Sequence, residues 1–222
     1  MLNITGLSKS YAQRGAVLRN LSLEVQEAET VAITGPSGSG KTTLLNLIGL
    51  LDRPDSGEII FRQKSILGFD SDEAAYYRNT NIGFIFQEHF LLPHLTIEEN
   101  ILLPLLASKE KSKIPGEKVS WCRELMQTVG IKHLKDDFPY RISGGEAQRA
   151  SLVRALINNP SMILADEPTG SLDTENAGIL ADLLVMLNRQ NRTSVVAVTH
   201  SAILAGKMSC RYRLENGSLT RY

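Results

Sequence analysis

Residues 30–35, TVAITG, make a short apolar run of strand length, and the chain passes from it through GPSGSGKT into KTTLLNLIGLL, a stretch of helical composition. A glycine-rich turn between a buried strand and a helix constrains the fold more than any other feature here, because strand, turn and helix must pack as one unit. The spacing is that of G-x-x-x-x-G-K-[ST], with Gly35, Pro36, Ser37, Gly38, Ser39, Gly40, Lys41, Thr42 and Thr43 in order. In that context the glycines let successive amides turn inward around phosphate groups, Lys41 supplies a point charge beside the outer phosphates, and the Thr42 hydroxyl is a ligand for Mg2+. The motif predicts a nucleotide-phosphate site on an α/β scaffold.

Three more apolar runs of the buried-strand type follow: IGFIFQ (82–87), MILAD (162–166) and SVVAVTH (194–200). Helical stretches, KTTLLNLIGLL and AGILADLLVMLNRQ the clearest, separate several of them, which is the alternation of an α/β domain with a largely parallel sheet. LSLEV (21–25) alternates apolar and polar residues as a half-buried strand does. Asn216-Gly217, between two strand-like pieces, predicts a hairpin near the end of the sequence. From Glu88 to about Asn159 the strand signal gives way to helical composition, read as a helical insertion in which SKEKSKIPGEK is the most loop-like piece.

The 222 residues carry 24 Lys+Arg against 24 Asp+Glu, so charge alone holds neither nucleic acid nor an anionic membrane surface. The two cysteines, Cys122 and Cys210, stand in no metal spacing and read as buried small apolar residues of a reducing compartment. The greasiest run, ILLPLLA (101–107), is short and broken by Pro104, and residues 1–15 lack the apolar core of a signal peptide. No direct membrane insertion is expected, and any role at a membrane would come through a partner.

MILADEP is an apolar strand that ends in two carboxylates. Such a tip delivers Asp166 to a metal shell and leaves Glu167 able to polarise water as a general base, although an acidic loop after a core strand has the same look. His200, Gln87 and Tyr11 each have an ordinary reading too: a capped histidine, a strand-end amide, a packing aromatic. ISGGEAQRASLVRAL (142–156) opens a helix on Ser143 and two glycines. Ser143 and Glu146 fit a capping box, yet a cap requires no glycine, and Gly144 and Gly145 leave the backbone bare for the close approach of an anion.

Together GPSGSGKT, Gln87, ISGGE, MILADEP, GSLD and His200 resemble, in order and rough spacing, the ATP-binding cassette (ABC) ATPases, over essentially the whole chain. The resemblance implies a single domain, 1–222, of the α/β P-loop NTPase fold, RecA-like and ABC-type. Residues 1–87 and 160–222 would form the nucleotide-binding core with an N-terminal antiparallel β region, and 88–159 an inserted helical subdomain bearing the signature. ATP and Mg2+ are the implied cofactors. Tyr11 would stack on adenine, residues 35–43 would cradle the phosphates, and Thr42, Gln87 and Asp166 would serve the metal. Glu167 would be the base, with Lys41, Gln87 and His200 at the γ-phosphate. The resemblance further implies a head-to-tail homodimer in which Ser143, Gly144, Gly145, Glu146 and Asp173 act on the partner's nucleotide. Ile142 and Glu146 depart from the family's usual Leu and Gln, and Glu146 is welcome near a phosphate only if it turns back into its own cap.

Residues 81–106, NIGFIFQEHFLLPHLTIEENILLPLL, are similar to the cassettes of the lipoprotein-releasing, macrolide-export and cell-division group. This implies a cytoplasmic protein, peripheral on the inner face of the cell membrane, bound to transmembrane permease subunits near Gln87–Leu92. Phe90, Leu91 and Leu92 either make that contact or fill the insertion's own core. The implied function is ATP hydrolysis in a bacterial ABC transporter or mechanotransmission complex, driving a separate transmembrane partner toward lipoprotein release or export of a lipophilic substrate; the alternative is an ABC ATPase that gates a cell-envelope or cell-division complex without transport. A P-loop kinase lacks the SGG signature, and a chromosome-maintenance ATPase needs a long coiled coil for which the span from Gly35 to Asp166 has no room. No nucleic-acid partner is expected.

Overall fold

The computed structural model describes residues 1–107 and 114–222. In chain order its strands are β1 (Leu2–Tyr11), β2 (Gly15–Val25), β3 (Thr30–Thr34), β4 (Ser56–Phe61), β5 (Lys64–Ser65), β6 (Ile82–Ile85), β7 (Met162–Asp166), β8 (Ser194–Val198), β9 (Cys210–Glu215) and β10 (Ser218–Arg221). The helices are α1 (Lys41–Ile48), α2 (Ser71–Asn81), α3 (Ile97–Leu102), α4 (Gly116–Thr128), α5 (Gly144–Leu156), α6 (Thr174–Asn191) and α7 (Ala202–Lys207).

Among the described residues the strands form two sheets. One is antiparallel, in the order β2-β1-β4-β5, and alternation turns Leu2, Ile4, Leu21, Leu23 and Val25 into the core. The other has the order β10-β9-β3-β8-β7-β6, parallel throughout except at the β10 edge. Every residue of β8 is buried, which is why the central strands read as unbroken apolar runs: helices cover both faces of a parallel sheet. The β9–β10 hairpin turns at Asn216 and Gly217, with φ of 51° and 80° as a two-residue turn of this hand requires.

Because β3, β6, β7 and β8 run parallel, their C-terminal ends open on one edge of the sheet, where ligands of open α/β sheets bind. That edge gathers Gly35, Gln87, Asp166, Glu167 and His200, each at or just beyond its strand's end.

Between β6 and β7 the described residues hold helices and no strand. Ile97, Ile101, Leu125, Met126, Ala150 and Val153 from these helices share one buried cluster with Ile163, Ala165, Val195 and Leu184 of the sheet and its cover. The helices therefore pack on the same core that fixes the strand tips. Residues 108–113 of the expected loop SKEKSKIPGEK lie outside the described residues. The rest of it differs from expectation: Gly116, Glu117 and Lys118 form the first turn of α4, entered from Pro115 at φ −61°, a proline well suited to a helix start. α2 was not expected from the sequence at all; it is opened by a full capping box between Asp70 and Glu73. Cys122 and Cys210 are free and buried. No helix of the described residues is long and apolar enough to cross a membrane.

Candidate functional site: a phosphate cavity and a separate helix start

At the sheet edge lies a cavity of about 620 Å³ lined by Tyr11, Ser37, Gly38, Gly40, Lys41, Thr42, Thr43, Gln87, Glu167 and His200. Ten residues singled out from the sequence thus come together from β1, the glycine-rich turn after β3, the first turn of α1 and three strand ends. Gly170, the first residue of GSLD, lines it too, as do Arg14 and Val17, for which there was no sequence signal.

The loop is built by its backbone. Gly40 sits at φ +103°, where a Cβ would come within 2.7 Å of the Val17 side chain, so β2 packs directly on the turn into α1. No side chain caps α1, which leaves its first-turn amides available to an anion. Lys41 is 7% exposed and donates to the carbonyls of Gly35 (3.0 Å) and Pro36 (3.1 Å); its Nζ also lies 3.1 Å from His200 Nε2. Lysine can only donate, so that ring nitrogen accepts. Gly35 and Pro36 therefore hold Lys41 without lining the cavity, and Ser39 buries its hydroxyl with no hydrogen-bond partner among the described residues.

Thr42 Oγ1 donates to Asp166 Oδ1 at 3.1 Å. Burial pushes the Asp166 carboxyl above its ordinary range and the charge of Glu167 adds to this, while the Thr42 bond and the charge of Lys41 oppose it. Among the described residues no group of three or more His, Cys, Asp or Glu gathers to cage a metal. One hydroxyl and one carboxylate of hard oxygen character beside a phosphate cradle fit Mg2+, which takes one or two carboxylates and completes its shell with phosphates and water.

Glu167 has φ +45°, a left-handed conformation costing a non-glycine residue about 1–3 kcal/mol. Its surroundings hold it there. Its N–H donates to the Val198 carbonyl (2.9 Å), its carbonyl accepts from Gly170 N–H (2.9 Å), and Oε2 accepts from His200 N–H (2.9 Å). Oε1 lies 3.4 Å from His200 Nε2.

Gln148 on α5, 1% exposed, spends both amide protons on this edge, donating to the carbonyls of Phe86 (2.7 Å) and Pro168 (2.9 Å). Those carbonyls lie one residue before Gln87 and one after Glu167. A single buried amide therefore ties the helix to both loops. The only sequence signal for it was a polar residue among Ala147, Ala150, Ser151 and Leu152 on the inward face of α5.

Ser143, Gly144, Gly145, Glu146 and Asp173 do not line the cavity. The expected capping box is present: Ser143 Oγ accepts from Glu146 N–H (3.3 Å), and Glu146 Oε2 accepts from Ser143 N–H (2.8 Å) and Oγ–H (2.7 Å). The Ser143 hydroxyl, then its N–H, hold the Glu146 carboxyl below its usual range. The acid does turn back into its own cap. The two glycines differ from the shared reason expected of them. A Cβ on Gly145 would come within 2.7 Å of Asn176 Oδ1, on a side chain that donates to Asp173 (2.8 Å), whereas a Cβ on Gly144 would meet nothing within 4 Å. Gly145 is bare because its own chain packs there; Gly144 is bare and open.

The family model described as ABC transporter matches residues 18–170, from the strand packed on the P-loop to the glycine beside Gln87. The chain belongs to the ABC transporter family. As such a cassette it is an ATPase. It is 46% identical to the lipoprotein-releasing system ATP-binding protein LolD 1 of Rhodopirellula baltica, over 100% of this chain and 96% of that protein, and 41% identical to LolD of Myxococcus xanthus, over 99% and 98%. Among solved structures, the dimeric bacterial ABC transporter cassette MJ0796 matches with a TM-score of 0.89 at 37% identity, covering 100% of this chain and 97% of that one. A dimeric post-hydrolysis state of MJ0796 bound to ADP and Pi matches with a TM-score of 0.87 at 36% identity over the same shares.

The apolar triplet after Gln87 divides between its two readings. Leu91 is 6% exposed and belongs to the core of the insertion, while Phe90 and Leu92 are 62% and 37% exposed. Arg154 on α5 holds this loop by donating to the carbonyls of Phe90 (2.7 Å) and His89 (2.6 Å). Nearby, a groove of about 480 Å³ lined by Leu51, Phe84, Phe86, Pro104 and Arg154 opens to the surface.

Proposed function

We propose that two copies of this cassette pair head to tail around two Mg·ATP and drive a separate transmembrane permease, releasing lipoproteins or exporting a lipophilic substrate. The observation that carries the reading is the division of the chemistry. Lys41, Thr42, Gln87, Glu167 and His200 line one cavity, with Asp166 bonded to its edge, while the open Gly144 lies outside it. A second copy of the chain completes that arrangement.

In this reading Lys41 leaves the carbonyls of Gly35 and Pro36 for the outer phosphates, and the P-loop amides hold the oxygens in place. Thr42, Asp166 and Gln87 would hold Mg2+, which when bound would neutralise charge developing on the phosphates. Glu167 takes the proton of the attacking water, His200 contacts the γ-phosphate, and Tyr11 stacks on adenine. Gly144 and Gly145 of the partner stabilise the transferring phosphoryl with their N–H donors, and Ser143 adds its O–H once that proton leaves Glu146 Oε2; Glu146 stays in the cap on the Ser143 N–H, and Asp173 crosses between subunits. Residues 88–159 act as the helical signature subdomain, and the exposed Phe90 and Leu92 beside the apolar groove receive the permease. The names of the relatives and residues 81–106 favour lipoprotein release; a peripheral position on the inner membrane face follows from the permease contact.

Co-purification of the tagged cassette with membrane proteins tests the assignment. Recovery of a permease whose ATP-dependent release of lipoprotein from vesicles needs this chain is expected. ATP turnover by the recovered complex without movement of any lipidated or lipophilic substrate favours the gating alternative instead.

A further inference from the structure

Tyr11 reaches the cavity from the end of β1, and its hydroxyl is tied down. It donates to Asp52 Oδ2 at 2.7 Å, in the turn beyond α1. The other oxygen of Asp52 accepts from Lys9 Nζ (2.8 Å) and from Arg53 N–H (2.7 Å), and Lys9 also donates to the Arg53 carbonyl (2.6 Å). Lys9, two residues before Tyr11 on the same strand, places its ammonium 5.0 Å from the ring centroid. Tyr11 lines the cavity and Lys9 does not. The cation therefore sits against the ring without itself lining the cavity that the ring lines. Burial alone would raise the Asp52 carboxyl, but the bonds from Lys9, Tyr11 and Arg53 N–H outweigh it and hold the group below the usual carboxylate range. Asp52 is thus an ionised acceptor at neutral pH. A platform held in one rotamer before the base arrives spares the entropy of fixing it on binding.

We propose that Asp52 is a positioning residue that sets affinity for the base of a nucleotide by holding the Tyr11 ring as its platform. This rests on the reading of Tyr11 as the adenine contact. Its signature is selective: loss of Asp52 weakens ligands that carry a base and spares those that carry only phosphates.

The probes are Mg·ADP and Mg·pyrophosphate, titrated calorimetrically into the full chain so that no turnover intrudes. Tyr11→Ala weakens ADP by about 5- to 150-fold, the range for losing one stacked base, with pyrophosphate unchanged. Asp52→Ala weakens ADP by about 3- to 10-fold, the scale of one hydrogen bond lost from the platform, again sparing pyrophosphate. Asp52→Asn, whose carbonyl keeps Lys9 and Arg53 N–H while its amide donates to the Tyr11 hydroxyl oxygen, still ties the ring and returns ADP affinity to within about twofold of the unmodified chain. Tyr11→Phe cuts the same bond from the other end while leaving Lys9 and Arg53 on Asp52. It should weaken ADP as Asp52→Ala does, and adding Asp52→Ala to it should cost less than about twofold more, since coupled residues are not additive. Unchanged ADP affinity in Asp52→Ala alongside a loss in Tyr11→Ala overturns the role of Asp52 alone. Unchanged affinity in Tyr11→Ala overturns the stacking reading beneath it. Equal losses for ADP and pyrophosphate in Asp52→Ala, with unmodified ADP affinity in Tyr11→Phe, make Asp52 a general structural residue and overturn the proposal.

Discussion

The strand-tip cavity and the start of α5 both look like anion sites, and the structure treats them in opposite ways. In the cavity Lys41 is engaged with loop carbonyls, Thr42 with Asp166 and Glu167 with His200 N–H. At the start of α5 the side chains close on themselves in a capping box, one glycine is filled by Asn176, and Gly144 faces open space. The contrast teaches that a bare helix start is ambiguous until its surroundings are known. Gly145 answers to its own chain, and nothing among the described residues requires Gly144 to be bare.

The largest expected effect lies in the cavity. Glu167→Gln should slow ATP turnover by about 10²-fold or more, the scale of losing a general base, with nucleotide binding retained and an ATP-loaded dimer accumulating in size-exclusion chromatography. Near-normal hydrolysis would remove Glu167 from the role and leave the cavity as a binding site only.

Gln148→Leu should destabilise the fold by about 1–3 kcal/mol in urea unfolding, because a buried and a partly buried carbonyl lose their donor. Turnover should fall further than ADP affinity, since the carbonyls adjoin Gln87 and Glu167 rather than the P-loop. An equal fall in both would make the clamp purely structural.

Gly144→Ala sharpens the comparison at the other end. The added methyl meets nothing within 4 Å, so the unfolding midpoint should hold or rise slightly, as Gly-to-Ala does in a helix. Turnover should nonetheless drop about tenfold, the equivalent of losing one phosphoryl-stabilising contact of about 1.4 kcal/mol. Unchanged turnover would mean that nothing approaches Gly144 and would break the contrast.

The smallest effect is at the cap. Glu146→Gln should cost about 0.5–1 kcal/mol of stability at neutral pH, the size of a weakened N-cap. Glu146 titrates below its usual range in the folded chain, so its contribution is present above the ordinary Glu pKa and is lost as pH falls through the lowered value. Stability curves of the two proteins should converge in acid; a gap that persists would place the effect elsewhere.

Much of this was legible in the sequence for a physical reason. Buried parallel strands are written as continuous apolar runs, and the residue at the end of each run is the residue at the sheet edge, so Gln87, Asp166 and His200 could each be placed at a strand end, although only the family resemblance brought them into one site. Local chemistry was legible as well: the Ser143 and Glu146 cap lies within one helical turn. Contacts between distant segments were not. Gln148 reaches carbonyls 62 and 20 residues away, and Asp52 meets Tyr11 across 41 residues, with no spacing rule to announce either. α2 is mostly polar, so it lacks the apolar periodicity that marked other helices, although Asp70 and Glu73 carried its cap signal.

Mixed dimers decide whether Ser143, Gly144 and Gly145 serve the nucleotide held by another copy of the chain. One protomer carries Lys41→Ala, which spoils the cradle, and the other Ser143→Arg, which blocks the helix start. Each homodimer should be inactive. The mixed dimer should recover activity, because the intact P-loop of one subunit faces the intact helix start of the other, and its rate should match that of a Lys41→Ala subunit paired with the unmodified chain. Hydrolysis by that second pairing, with none by the doubly modified dimer once its formation is verified, would contradict the account.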